Sequence, residues 1–400
     1  MDLKRVLFVD DEESILAGLR NLLRKQRNRW DMVFAVGGEA ALVELAAGPF
    51  DVIVSDMRMP GMDGATLLER VKQEHPMTAR IVLSGHAERD AVMRAIPVTH
   101  QFLSKPCDAD TLRSVVERAC DLQRFLQNDI VRQAIGRLDK VPSIPRTYSA
   151  ITTAMGNPSS SLADVARIVE RDPAMSAKIL QLVNSAYFGL AQRTGSVQQA
   201  VSYLGLELLR GLALAAHVFS EAIPPTDGFS LDRAQAHSLL AAILARRFLS
   251  GHKQAEEAFT AAIVQDIGTI VLAVGLPEQF QQIVRTARVT GSSLHACERE
   301  LLGTTHAEIG AYLLGSWGLP LTIVETVAYH HTPGLVQEGS REVLAAVHVA
   351  NAMVDAGLGP AVPGQVGDGI DLAFLEQAGL MDRLDKWKAI ADKVVGDQCS

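Results

Sequence analysis

Residues 5–14 read RVLFVDDEES, an apolar run of strand length that ends in a cluster of acids. Similar short runs recur at 32–36 (MVFAV), 51–55 (DVIVS), 80–84 (RIVLS) and 100–104 (HQFLS). Between them lie segments such as 14–27 and 65–74, whose apolar residues fall at helical spacing. Alternating strand and helix signals predict a parallel sheet covered on both faces. Five strands fit a doubly wound sheet in the order 2-1-3-4-5, which places ligands at the carboxyl ends of its strands.

The expected last helix of this unit starts near Ala109 and runs on towards Asp139 with no Gly/Ser-rich linker. From residue 141 the strand signals nearly vanish. Ser161-Leu-Ala-Asp164 and Thr305-His-Ala-Glu308 read as capping boxes. Asp172-Pro173 reads as an N-cap followed by proline at the first helical position. The helix from 306 has Ile309, Leu313 and Trp317 on its inner face and stops at Gly318-Leu-Pro320. Residues 342–355 and 372–395 read as helix and 357–369 as loop. The expected organisation is an α/β domain over 1–124, a helical linker over 125–140, an all-helical domain over 141–338 and a helical extension over 339–400.

Composition narrows the function. The chain is 48% hydrophobic and 21% charged, ordinary for a protein with packed cores. Its net charge of -8 gives no general attraction to nucleic acid. The four cysteines, Cys107, Cys120, Cys297 and Cys399, form no CxxC pair, so neither zinc spacing nor a disulfide framework is expected. The N-terminus carries no signal-peptide core, and no run of about 18 apolar residues suggests a membrane span. A reducing, cytoplasmic setting is expected.

The chemistry-bearing residues of the first domain fall at predicted strand ends. Asp10 and Asp11 follow strand one, Asp56 ends strand three, Ser84 ends strand four and Lys105 follows strand five. Taken singly, each aspartate reads as a solvated turn; the set at one sheet edge reads as a site. Clustered carboxylates need a cation, and hard oxygen ligands suit Mg²⁺. Asp56 then becomes a carboxylate nucleophile for phosphoryl transfer. Lys105 offers a compact positive charge and Ser84 a hydroxyl donor to phosphate oxygens.

Here the sequence resembles the receiver domains of two-component response regulators. The residues that carry the resemblance are LFVDDEE at 7–13, SDMRMPGMDG at 55–64, LSGH at 83–86 and FLSKP at 102–106. The resemblance implies a phosphorelay in which a sensor histidine kinase donates to Asp56. It implies that Asp10, Asp11, Asp56 and the main-chain carbonyl of Arg58 hold Mg²⁺. Phe102 stands where the family has its aromatic switch residue, commonly tyrosine, and a plain core role fits it equally. The helix after strand five is the expected route to the second domain.

Residues 141–338 resemble the HDOD output family, a relative of the metal-dependent HD phosphohydrolases. The matching stretches are VPSIPRTYSAI at 141–151, VERDPAMSAKILQLVNSAYFG at 169–189, QQAVSYLGLELLRGL at 198–212, GTTHAEIGAYLLGSWGLP at 303–320 and YHH at 329–331. His237, Asp266, His306, His330 and His331 are good ligand types. However, Gln265-Asp266 replaces the His-Asp pair of the hydrolases, and Asn351 stands near their closing aspartate. Losing an imidazole and an anion weakens metal binding, so no metal is expected in this domain. The histidines read equally well as helix-end residues. His217, His252, His295 and His348 have no evident partner in sequence and read as structural or surface residues.

The expected function is a phosphorylation-switched, non-catalytic output domain that docks downstream proteins or a signalling ligand, with a homodimer left open. The alternative is a receiver-controlled, metal-dependent phosphodiesterase acting on a nucleotide or cyclic dinucleotide. Direct DNA binding is not expected, because residues 231–249 carry only Arg233, Arg246 and Arg247 as cations.

Overall fold

The computed structural model describes residues 3–84, 98–122, 131, 135, 150–151, 154, 160–184, 193–214, 226–336, 341–358, 367 and 369–399. The chain forms two compact units, one mainly from residues 1–139 and one mainly from 140–400.

In the first unit, β1 (Lys4–Asp10), β2 (Trp30–Val36), β3 (Val52–Asp56), β4 (Ala79–Ser84) and β5 (Gln101–Ser104) form one parallel sheet in the order β2-β1-β3-β4-β5. This is the predicted order. Val6, Leu7, Phe8 and Val9 are all buried because a parallel sheet is covered on both faces. In register, Val6 faces Val52 of β3, and Val52 faces Ala79 of β4. The described helices are α1 (Glu13–Leu22), α2 (Gly38–Ala47), α3 (Gly64–Glu74) and α4 (Ala109–Leu122). The helix expected over 14–27 ends early, and its last part is a 3₁₀ turn at Arg24–Gln26. Leu112, Val115 and Val116 of α4 join the core formed by Val6, Phe8, Val54 and Ile81.

The described part of the second unit is helical. It begins with α5 (Leu162–Val169), α6 (Pro173–Val183), α7 (Val197–Leu214) and α8 (Leu231–Phe248). Next come α9 (Ala255–Val264), α10 (Ile267–Gly275), α11 (Pro277–Thr290), α12 (Leu294–Leu302), α13 (His306–Ser316) and α14 (Leu321–Tyr329). Last are α15 (Arg341–Leu358), α16 (Leu372–Gln377) and α17 (Leu384–Cys399). The Ser161 capping box forms as read, with its side chain accepting the Asp164 N–H. Asp172 accepts the Met175 N–H at 3.0 Å at the start of α6. Thr305 and Glu308 bond reciprocally at the start of α13.

A second helix expectation needs correction. The helix expected over 372–395 is broken at Gly379, whose φ of 68° is a left-handed conformation that suits glycine. The Leu380 N–H then bonds back to the Leu375 carbonyl and closes α16. Among the described residues, Ala255–Gly275 is the one stretch long and apolar enough to cross a membrane by length and composition alone, although Glu256, Glu257 and Asp266 interrupt it. It is two helices, α9 and α10, and 83% of its most apolar window is buried in the helical unit. Helix α8 packs against α9 and α15, and α17 closes against α8 and α15. Trp387 of α17 stacks on Phe248 at 5.1 Å, and its indole N–H donates to the Phe248 carbonyl.

Candidate functional site

The first site lies at the carboxyl ends of β1 and β3. Asp10 and Asp56, the last residues of those strands, are both buried. Lys105 follows β5 and crosses to both. Its Nζ donates to Asp10 Oδ2 at 2.8 Å and contacts Asp56 Oδ1. Each carboxylate has its other oxygen occupied by backbone. Asp10 Oδ1 accepts the Glu12 N–H at 3.0 Å, and Asp56 Oδ2 accepts the Arg58 N–H at 2.7 Å. Burial raises the Asp56 carboxyl above its usual range, and Lys105 and the Arg58 N–H offset this only in part. Burial opposes the Lys105 charge, but the two acids outweigh it and its pKa is raised.

The loop after β3 is tightly built. Asp63 caps α3 by accepting the Thr66 N–H at 2.8 Å. Gly64 follows, and its N–H donates to the Met57 carbonyl at 2.9 Å. A Cβ on Gly64 would sit 2.1 Å from the Asp56 carbonyl oxygen, so only glycine fits here. Asp11 is exposed next to the strand end, and Arg58 lies in the turn that holds Asp56. Ser84 ends β4 and Phe102 lies in β5, but their side chains fall outside the described residues. The donor set fits a hard cation, since the Asp10 and Asp56 oxygens already surround one ammonium.

The second site is in the helical unit, where helix ends meet. Asp266 is the N-cap of α10, His306 opens α13, and His330 ends α14 with His331 beside it. The candidate ligand atoms of Asp266, His306, His330 and His331 all lie within 4.8 Å of one another. His306 Nε2 is 3.4 Å from Asp266 Oδ1 and 2.9 Å from His331 Nε2. His330 Nε2 is 3.8 Å from Asp266 Oδ1. Burial, then the neighbouring His331, push the fully buried His330 well below its usual pKa. Burial likewise lowers His331, and His306 adds to the effect. For Asp266, burial works against ionisation, but His306, His330 and His237 overcome it and its pKa is lowered.

Gln265, Asn351 and His237 stand on the other side of Asp266. Gln265 Nε2 donates to Asn351 Oδ1 at 2.6 Å and to Asp266 Oδ2 at 3.2 Å. His237 Nδ1 is 3.9 Å from Asp266 Oδ2, and its Nε2 meets Asp355 Oδ1 at 2.8 Å. The seven residues read from the sequence as remnants of an HD site therefore form one cluster centred on Asp266, with Asn351 joined to it through Gln265.

Several residues of this cluster gave no sequence signal. Glu298 on α12 is fully buried and its Oε2 accepts both the His306 N–H at 2.7 Å and His306 Nδ1 at 2.6 Å. The His295 ring lies 4.8 Å from that of His331, so its reading as a residue without partners is corrected. Asp355 engages His237. His348 is structural as read: its Nδ1 donates to the His330 carbonyl, and its Nε2 accepts the Asp371 N–H. Gly268 lets α10 meet α13, because a Cβ there would lie 2.0 Å from the His306 carbonyl oxygen. His217 lies outside the described residues, and His252 is exposed.

Comparison with known proteins bears on both sites. Residues 6–117 match the response regulator receiver domain family, and residues 141–333 match the HDOD domain family. An uncharacterised protein of Treponema pallidum is 24% identical over 250 residues, covering 62% of this chain and 48% of that one. The DNA-binding transcriptional regulator NtrC of Escherichia coli is 43% identical over 115 residues, covering 28% of this chain and 24% of NtrC. The chain thus spans about half or less of these relatives. Among solved structures, a virulence factor from Campylobacter jejuni superposes with a TM-score of 0.51 at 20% identity, covering 66% of this chain and 97% of that one. That likeness is one of fold.

Proposed function

From the premise that this chain is a response regulator joining a receiver domain to an HDOD domain, we propose that Asp56 accepts a phosphoryl group from a sensor histidine kinase and thereby switches the docking of downstream proteins on the helical domain. The observation that carries this reading is the Asp10–Lys105–Asp56 cluster at the strand ends. An Asp56 oxygen attacks phosphorus, the P–N bond of the kinase phosphohistidine breaks, and the leaving imidazole takes the electron pair and then a proton. An acyl phosphate remains on Asp56. Asp10, Asp11, Asp56 and the Arg58 carbonyl would hold Mg²⁺, which would supply charge neutralisation at the phosphoryl oxygens. The Arg58 N–H fixes Asp56 Oδ2. Lys105, already between the two acids, is placed to follow the incoming phosphate oxygens.

Phosphorylation replaces the single charge of the Asp56 carboxylate with a phosphoryl group carrying about -1.5 to -2, a net gain of about -0.5 to -1 at one buried point. The Lys105 bridge between Asp10 and Asp56 then reorganises, and the β4–β5 edge with Ser84 and Phe102 follows. Such a switch works only if the two states differ in their contacts. The output is docking rather than hydrolysis: the Gln265–Asn351 amide pair stands where a hydrolase needs a second charged ligand set. The protein acts in the cytoplasm, where kinase and donor meet it.

The test is hydrogen exchange on the full chain, wild type and Asp56→Asn, with and without acetyl phosphate and Mg²⁺. Changed protection in the helical domain of wild type alone supports the proposal. Identical exchange in every condition overturns the switch.

A further inference from the structure

We propose that the helical domain holds one divalent first-row transition-metal ion, zinc-like in its preferences, on Asp266, His306, His330 and His331. The inference stands apart from the receiver reading and rests on how these four groups are held.

His330 Nδ1 donates to the Val327 carbonyl at 2.8 Å, and a carbonyl can only accept. In the neutral ring that contact places the lone pair on Nε2. This atom is fully buried, faces Asp266 Oδ1 at 3.8 Å and has no hydrogen-bond partner among the described residues. His306 is fixed in the same sense. Glu298 Oε2, which already accepts the His306 main-chain N–H, takes Nδ1 at 2.6 Å. Its Nε2 is turned inward, towards Asp266 and His331. Two lone pairs and an anionic oxygen therefore converge on one space, beside the His331 Nε2 that shares a proton with His306 Nε2 when no cation is bound.

The spacing suits an ion. Ligand atoms at the usual zinc distances sit about 3.3–3.6 Å apart on a tetrahedron. Three of the six separations, 2.9, 3.4 and 3.8 Å, bracket that edge, and all six lie within 4.8 Å, so the ion draws the four groups slightly together. Three imidazoles and one carboxylate favour a transition ion over Mg²⁺ or Ca²⁺. The outer partners Glu298 and the Val327 carbonyl do what supporting residues do around metal-bound histidines: they fix the tautomer and aim the ring.

The site takes one ion, not two. The Gln265 amide N–H₂ caps Asp266 Oδ2 and fills the space towards Asn351 with partial positive charge. The bound ion ties the starts of α10 and α13 to the end of α14, so it locks the bundle at three helix ends.

The experiment uses the full chain, stripped with chelator, desalted and titrated with Zn²⁺ alone, then with Co²⁺ as a spectroscopic probe. One ion should bind per chain in wild type and in Asp56→Asn, and it should raise the melting temperature. His330→Ala and Asp266→Asn should lose it, and Glu298→Gln should weaken it about 10–100-fold. Binding unchanged in both His330→Ala and Asp266→Asn places the ion elsewhere and overturns the proposal. If those variants do not fold, the wild-type Co²⁺ spectrum decides. Intense visible bands from a low-coordinate imidazole site support the proposal, and a spectrum no stronger than that of aqueous Co²⁺ overturns it. Folded wild type that takes up no ion, with its lone pairs bridged by a proton instead, also overturns it.

Discussion

Replacing Gly64 with alanine sets two effects of opposite sign against each other. Gly64 is the first residue of α3, and its φ is not in the left-handed region. By helix preference alone, alanine would be favoured over glycine by up to about 1 kcal/mol. Packing opposes this. The added Cβ would lie 2.1 Å from the Asp56 carbonyl oxygen and 3.0 Å from Met57 Cα. Carbon and oxygen settle near about 3.3 Å, so the two segments must part by roughly 1.2 Å. Overpacking of this kind costs about 1–3 kcal/mol, which exceeds the helix gain. The displaced segment carries Asp56 and the Arg58 N–H that orients it. A misplacement of about 1 Å at a reacting group costs on the order of 10²-fold in rate. Because two units unfold in one chain, a single melting curve does not isolate the receiver. Hydrogen exchange of β1 and β3 amides reports it separately, and acetyl phosphate gives the phosphorylation rate. Faster exchange together with slower phosphorylation is expected. A Gly64→Ala protein with β1 and β3 as protected as wild type, phosphorylated at the wild-type rate, would refute the packing argument.

Two other substitutions test neighbouring claims. Lys105→Met leaves Asp10 and Asp56 without their shared ammonium, so the variant should be less stable than wild type in Mg²⁺-free buffer and should gain more from added Mg²⁺; an equal Mg²⁺ response in both would contradict the bridging role. Glu170 is buried, its Oε1 has no hydrogen-bond partner among the described residues, and burial raises its pKa above 4.5, with Gln198 and Arg246 offsetting only part. The folded state therefore holds that proton more tightly than the unfolded chain, and stability falls as pH rises through the folded pKa. Glu170→Gln should melt above wild type at pH 7, with the advantage vanishing below about pH 4; a variant less stable than wild type at pH 7 would reverse that sign.

The first domain was legible because each of its signals is local. An apolar run of strand length ends in Asp10, another in Asp56, and Lys105 follows a third. Parallel pairing brings those ends to one edge without further information. The helical site was legible only as residue types. His237, Gln265, Asp266, His306, His330, His331 and Asn351 could be picked out in sequence, but not their relative positions. Glu298 looks like any charge on an amphipathic helix until α12 packs beside α13 and buries it. Gly268 lies in an apolar run, and nothing local says that another helix start will press on it. Asp355 and His295 depend likewise on which helices become neighbours. The break at Gly379 was missed because the residues on both sides keep helical periodicity, while the left-handed turn depends on one glycine. The expectation of no metal weighed two lost ligands, and spatial arrangement alone reveals how closely four of the remaining five converge.

The pocket of Asp10, Asp56 and Lys105 is probed covalently by a small phosphodonor. The full chain, incubated with acetyl phosphate and Mg²⁺ and analysed by intact mass and peptide mapping, should gain one alkali- and hydroxylamine-labile phosphoryl group on the peptide containing Asp56, and Asp56→Asn should gain none. A wild-type protein that stays unmodified, or a phosphoryl group that persists in Asp56→Asn, would contradict the account.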